Sequence, residues 1–162
     1  MPYDSGIVFV REPAHLHAAM AANAPYLVVG TGREPEHYTP DFSRRARGIE
    51  VWAALRSLGR QGIAELVERT CRHASRFAAG LRAAGHEILS EVVINQVLVS
   101  FGDPDTTRRV IAAIQEDGTC WAGATTYRGR TAMRISVSSW ATTEEDVERS
   151  LAAMVRVAAS VR

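Results

Sequence analysis

From Gly62 onward the positions Ile63, Leu66, Val67, Thr70, Ala74, Phe77, Ala78 and Leu81 recur at intervals of three and four. That spacing traces one stripe of a helix with 3.6 residues per turn, and such a stripe must be covered by something. A long amphipathic helix, ended by Gly85, is therefore the element around which the rest has to fold. The following residues supply the cover. Ile88 to Leu89 and Val97 to Phe101 read as strands, with Asn95-Gln96 interrupting the apolar run. Asp103-Pro104-Asp105 places an N-cap and a first-turn proline before a helix carrying Val110, Ile111 and Ile114, and Gly118 ends it. Residues 119–127 and 131–138, joined by Arg128-Gly129-Arg130, read as a hairpin. Within it Met133, Ile135 and Val137 alternate with Arg134, Ser136 and Ser138, so one face is dry and the other wet. Thr142-Thr143-Glu144-Glu145 predicts a capping box for a last helix with Val147, Leu151, Met154, Val155 and Ala158 on one stripe. The order strand, strand, helix, strand, strand, helix predicts an α/β to α+β fold, with helices covering one face of a largely antiparallel sheet.

The amino-terminal side is less regular. Gly6-Ile7-Val8-Phe9-Val10-Arg11 is β-branched and aromatic, bounded by Gly6 and Pro13, and reads as a buried strand. His15 to Asn23 fits one short helix closed by Pro25, and Gly30 to Pro40 is a Gly- and Pro-rich loop without periodicity. Ser43 is a candidate N-cap for a helix marked by Ile49, Trp52, Ala53, Leu55 and Leu58, which Gly59 interrupts. Trp52 and Trp121 read as core residues.

Composition excludes several functions. The 19 basic and 18 acidic side chains leave a formal charge of +1, which offers no broad attraction for nucleic acid or an acidic membrane surface. No apolar run approaches the roughly 20 residues that cross a bilayer. Cys71 and Cys120 have no neighbouring Cys or clustered His, and His15, His17, His73 and His86 lack ligand spacing, so neither a disulfide framework nor a metal site is expected. Without a signal-peptide pattern at Met1-Pro2-Tyr3-Asp4, a reduced cytoplasmic location is the expectation. All 19 basic residues are arginine. A chain without lysine has no ε-amino group to form a Schiff base.

Three segments resemble one family in the same order: Pro2-Tyr3-Asp4-Ser5-Gly6-Ile7-Val8-Phe9-Val10; Phe42-Ser43-Arg44-Arg45 running into Val51-Trp52-Ala53-Ala54-Leu55-Arg56-Ser57-Leu58-Gly59; and Met133-Arg134-Ile135-Ser136-Val137 with Thr142-Thr143-Glu144-Glu145-Asp146. Together they are similar to the carboxyl-terminal part of the pyridoxal-phosphate-dependent group II amino-acid decarboxylases. The resemblance implies an aspartate-aminotransferase-type fold, with a large cofactor domain and a small carboxyl-terminal domain, assembled as a homodimer acting on an amino acid. Residues 1–42 would be the tail of the large domain, 43–60 a connecting helix, and 61–162 the small domain. It also implies that the cofactor-tethering lysine belongs to a His-Lys-Trp stretch just upstream of the segment matched by Pro2 to Gly6. The chain would then be a carboxyl-terminal fragment that does not hold pyridoxal phosphate covalently and is inactive alone. Other enzymes of the same fold, an aminotransferase or a lyase, and a non-catalytic truncated partner subunit are the alternatives.

By the same resemblance, Tyr3 and Ser5 lie near the cofactor, where a hydroxyl can donate to a phosphate oxygen; alternatively both only lead into the strand. Tyr38 falls where related decarboxylases carry a mobile loop whose tyrosine protonates the substrate carbon, with His37 an equally eligible acid and a solvated loop the plainer reading. Arg134 matches a small-domain arginine that grips a substrate carboxylate through its guanidinium fork. A decarboxylase must let its α-carboxylate leave as neutral carbon dioxide, so a tight clamp on that group would raise the barrier, and Arg134 would hold a different group or only position the substrate. Arg44-Arg45-Ala46-Arg47 stands at a helix start, where the macrodipole disfavours cations, and is expected to have carboxylate partners across a domain or subunit boundary, a solvated face being the simpler alternative.

Overall fold

The computed structural model describes residues 4–21, 30, 32–40, 43 and 45–161. The chain divides into two compact units, 1–59 and 60–162.

In the first unit α1 runs Pro13–Met20, two residues earlier than the expected start, because Pro13 has the backbone angle of a first helical turn and no N–H to lose there. The expected end at Asn23 lies outside the described residues. A single 3₁₀ turn, Pro35–Tyr38, interrupts the Gly- and Pro-rich loop. The expected strand at residues 7–10 is absent. Ile7, Val8 and Phe9 are exposed, Phe9 to 95%, and no described strand pairs with them. β propensity needs a neighbouring ladder to become a strand.

Helix α2, Gly48–Ala83, spans both units with a break at Gly59, whose φ of 64° and ψ of −176° leave the helical region. That conformation suits glycine, which has no Cβ to clash. Ser43 does not cap α2, which begins five residues later. At the other end, Gly85 N–H donates to the Arg82 carbonyl and His86 N–H to the Leu81 carbonyl, each at 3.0 Å, a Schellman closure.

The second unit holds the sheet: β1 (Glu87–Ile88), β2 (Gln96–Ser100), β3 (Gly123–Tyr127) and β4 (Arg130–Ser136), in the order β1-β2-β4-β3 with every neighbouring pair antiparallel. Helix α3 is Pro104–Asp117 and α4 is Glu144–Ser160. The α/β to α+β expectation of helices over an antiparallel sheet is met. Val97 pairs with Ile135 and Val99 with Met133. These four pack with Phe77 and Leu81 of α2, Val110 and Ile114 of α3, and Leu151 and Met154 of α4 in one buried cluster. Buried side chains of this size stabilise by about 1.5–3 kcal/mol each, so this cluster is the main source of stability in the unit.

The polar devices fall where local chemistry puts them. Asp103 accepts from the N–H groups of Asp105 and Thr106 at 2.9 Å. Asn95 donates its amide to the Val137 carbonyl and accepts from the Val137 N–H, both at 2.9 Å, continuing the β2–β4 pairing where the apolar run pauses. The hairpin loop is two residues, Arg128 at φ 49° and Gly129 at φ 77°, with Arg130 already in the ladder opposite Tyr127. Two positive φ values match the right-handed twist of the strands. The capping box sits one residue later than expected, on Thr143 and Asp146 instead of Thr142 and Glu145.

Candidate functional site

In the first unit, Asp4, Ser5, Gly6 and Ile7 face Pro35, Glu36 and Thr39 of the turn and the start of α2 across a cleft of about 790 Å³. Arg45 and Arg47 also line it. Both are committed: Arg45 pairs with Glu50, and Arg47 donates from Nε to Asp4 Oδ2 at 2.7 Å. The Arg47 guanidinium holds the Asp4 carboxyl below the usual carboxylate range. Both carboxylates lie in the first unit: Glu50 follows on α2 itself, and Asp4 comes from the 1–42 segment. Arg44 lies outside the described residues.

Ser5 is half-buried and lines this cleft. Tyr3 lies outside the described residues. Tyr38 ends the 3₁₀ turn, half-buried, with the Arg33 guanidinium 4.5 Å above its ring centre and the His17 ring at 6.1 Å. His37 is buried and packs edge-on against His17 of α1 with ring centres 4.6 Å apart. The turn bearing the two candidate acids is thus held against α1 by ring contacts. No periodicity announces that cluster.

Arg134 belongs to the second unit. It is exposed in the middle of β4, on the face of the sheet opposite the apolar cluster, between Leu98 of β2 and Gly123 of β3. Its guanidinium has no hydrogen bond or ion pair among the described residues. A strand fixes the direction of a side chain by parity, so the dry and wet alternation of Met133, Arg134 and Ile135 places this cation correctly. Trp52 and Trp121 are not core: they are 64% and 75% exposed. The core closes with aliphatic side chains and Phe77, and neither indole has a place in it.

Residues 1–102 match the pyridoxal-dependent decarboxylase conserved domain. The chain belongs to this family. It is 26% identical over 165 residues to histidine decarboxylase of Drosophila melanogaster, covering 98% of this chain and 19% of the fly protein. It is 24% identical over 155 residues to aromatic-L-amino-acid decarboxylase of Drosophila lebanonensis, covering 91% of this chain and 38% of that one. The fold superposes on the crystal structure of Oryza sativa TDC with PLP and tryptamine with a TM-score of 0.82 at 17% identity, over 93% of this chain and 34% of the rice chain. For Catharanthus roseus tryptophan decarboxylase in complex with L-tryptophan the TM-score is 0.74 at 17% identity, over 94% and 35%. The chain spans less than two fifths of the length of each of these relatives.

Pyridoxal phosphate is the cofactor of this decarboxylase family. The described residues do not complete a site for it. Ser5 offers a hydroxyl in a cleft of adequate volume, but the two nearest arginines are neutralised by Asp4 and Glu50, and the sequence has no lysine to tether an aldehyde.

Proposed function

We propose that this chain is the carboxyl-terminal part of a pyridoxal-phosphate-dependent amino-acid carboxy-lyase that works as a cytoplasmic homodimer, and that it is inactive by itself. Residues 1–42 are the tail of the large domain, 43–60 the connection and 61–162 the small domain. The observation that carries the reaction class is the match to decarboxylases along nearly the whole chain. The absence of lysine from the sequence supports the second half of the proposal.

Within that enzyme the chain supplies substrate-side groups. Arg134 presents an uncommitted guanidinium to an anionic group of the substrate, with the reservation that it does not clamp a carboxylate about to leave. Tyr38 donates a proton to the substrate carbon, and Ser5, with Tyr3, donates to an anionic oxygen. A non-catalytic role, pairing with a longer lysine-bearing subunit, is favoured by the same lack of lysine; co-purification with such a subunit distinguishes it.

The test uses the purified full chain mixed with pyridoxal phosphate, reduced with borohydride and mapped by peptide mass, with carbon dioxide release from amino acids measured in parallel. Labelling confined to the α-amino terminus, without gas release, is expected. A reduced adduct on any internal residue, or sustained carbon dioxide release free of longer contaminants, overturns it.

A further inference from the structure

Among the described residues, two buried side-chain nitrogens have no hydrogen-bond partner: Arg69 Nε and His73 Nε2. They stand four residues apart on α2, which puts both on one face of the helix. Buried polar groups are nearly always satisfied, so two orphans one turn apart call for a cause. Arg69 is otherwise anchored, its Nη2 donating to the Trp140 carbonyl at 2.7 Å. His73 is only 4% exposed, so bulk water does not hydrate its ring.

Both residues line a hollow of about 480 Å³ within the second unit, together with Arg72, Trp140, Thr143 and Glu144. It borders the start of α4, a helix of 17 residues. There the Thr143 hydroxyl accepts from the Asp146 N–H at 3.2 Å, and the Asp146 carboxylate accepts from the Thr143 N–H at 3.0 Å. The N–H groups of Glu144 and Glu145 have no partner within the helix, and the macrodipole makes this end positive. Arg72 adds a cation whose one ion pair among the described residues is a 4.0 Å contact with Glu68 of its own helix. Arg76, one turn further on, is committed: its Nε and Nη2 hold Glu148 at 2.5 and 2.8 Å. Glu144 is the one carboxylate lining the hollow, against two arginines. The Arg69 Nε–H and the helix N–H groups can only donate, so the missing partner is an acceptor and, beside two guanidinium groups, an anion.

We propose that Arg69, Arg72, His73 and the first turn of α4 form a site for a small tetrahedral oxyanion of the phosphate class. The Arg69 guanidinium and the His73 imidazole turn toward the hollow and donate to the ion, Arg72 neutralises it from the rim, and the free N–H groups at the start of α4 complete its shell.

The experiment titrates the full chain with inorganic phosphate, against chloride at matched ionic strength, following the Arg69 Nε–H and the amides of Glu144 and Glu145 by NMR. Saturable shifts of these three signals are expected with phosphate alone. Arg69→Gln should raise the dissociation constant about tenfold and Arg72→Gln about threefold. Arg108→Gln, on α3 and outside the hollow, should leave it unchanged. The Arg72 side chain is 66% exposed, so its replacement keeps the fold and carries the test if Arg69→Gln unfolds. Shifts that do not saturate, or that chloride reproduces, mean that water alone satisfies the two nitrogens and overturn the site. A dissociation constant unchanged by either variant makes the phosphate an adventitious ion only and overturns it as well.

Discussion

Replacing Gly80 with alanine should destabilise the second unit, although the same exchange in an open helix stabilises. Gly80 lies inside α2 against the side chain of Leu151 of α4: an added Cβ would overlap Leu151 Cδ2 and stand 3.0 Å from Cδ1 and 3.1 Å from Cγ. Leu151 is only 6% exposed and belongs to the core cluster, so its side chain cannot simply swing into solvent. Exchanging glycine for alanine gains about 1 kcal/mol in helix propensity. Forcing a methyl into a packed contact costs about 1–3 kcal/mol. The difference is a net loss of about 1 kcal/mol. The decisive measurement is a double-mutant cycle. Leu151→Ala alone should cost about 2–5 kcal/mol, and in that background the alanine at 80 meets no side chain and should stabilise by about 1 kcal/mol. The coupling is then about 2 kcal/mol. Urea unfolding of a Trp52→Phe background, followed by fluorescence, reads only Trp121 and Trp140 of the second unit. A coupling below about 0.5 kcal/mol, or stabilisation by Gly80→Ala in both backgrounds, would refute the close-approach reasoning.

Two further outcomes concern titration and reactivity. The Glu87 and Glu148 carboxyls are held below their ordinary range by hydrogen bonds from Arg130 and Arg76, and those of Asp103 and Asp146 by backbone N–H groups of Thr106 and Thr143. A depressed folded value means a contribution present above the unfolded carboxylate range, near about 4, and lost as pH falls through the folded values. Burial likewise lowers His86, which stacks edge-on with Phe101, so its share begins to fade below about pH 6.5. Chemical unfolding should therefore show a gentle decline from pH 7 to 5 and a steep one below 4; a rise on acidification contradicts these assignments. Cys120 is half-buried, burial pushes its thiol up, and its S–H donates to the Ser150 carbonyl at 3.9 Å. Alkylation at neutral pH, read by peptide mass, should run severalfold slower at Cys120 in the folded chain than in urea, and equal rates would count against it.

The local features of the second unit were legible in the sequence for identifiable reasons. The α2 stripe from Ile63 to Leu81, the Asp103 cap and the alternation around Arg134 each depend on residues a few positions apart. The position of Arg134 on the wet face followed from the same parity. The capping box slipped by one residue because Thr142-Thr143-Glu144-Glu145-Asp146 satisfies the motif in two registers, and only the start of α4 chooses between them.

By itself, then, the sequence determined the order of elements in residues 60–162, the buried stripes of α3 and α4 and that of α2 from Thr70 to Leu81 though not at Val67, which is 49% exposed, the turn chemistry at Gly129, and the lack of any ε-amino group. Tertiary structure decided that Ile7 to Val10 form no strand, that Trp52 and Trp121 stand in solvent, that Arg45 and Arg47 find acids within their own unit, and that His17 meets His37 and Tyr38. The division has a physical cause. Periodicity and capping act along a few residues of chain, whereas burial, ladder pairing and ion-pair choice depend on which distant segment arrives alongside.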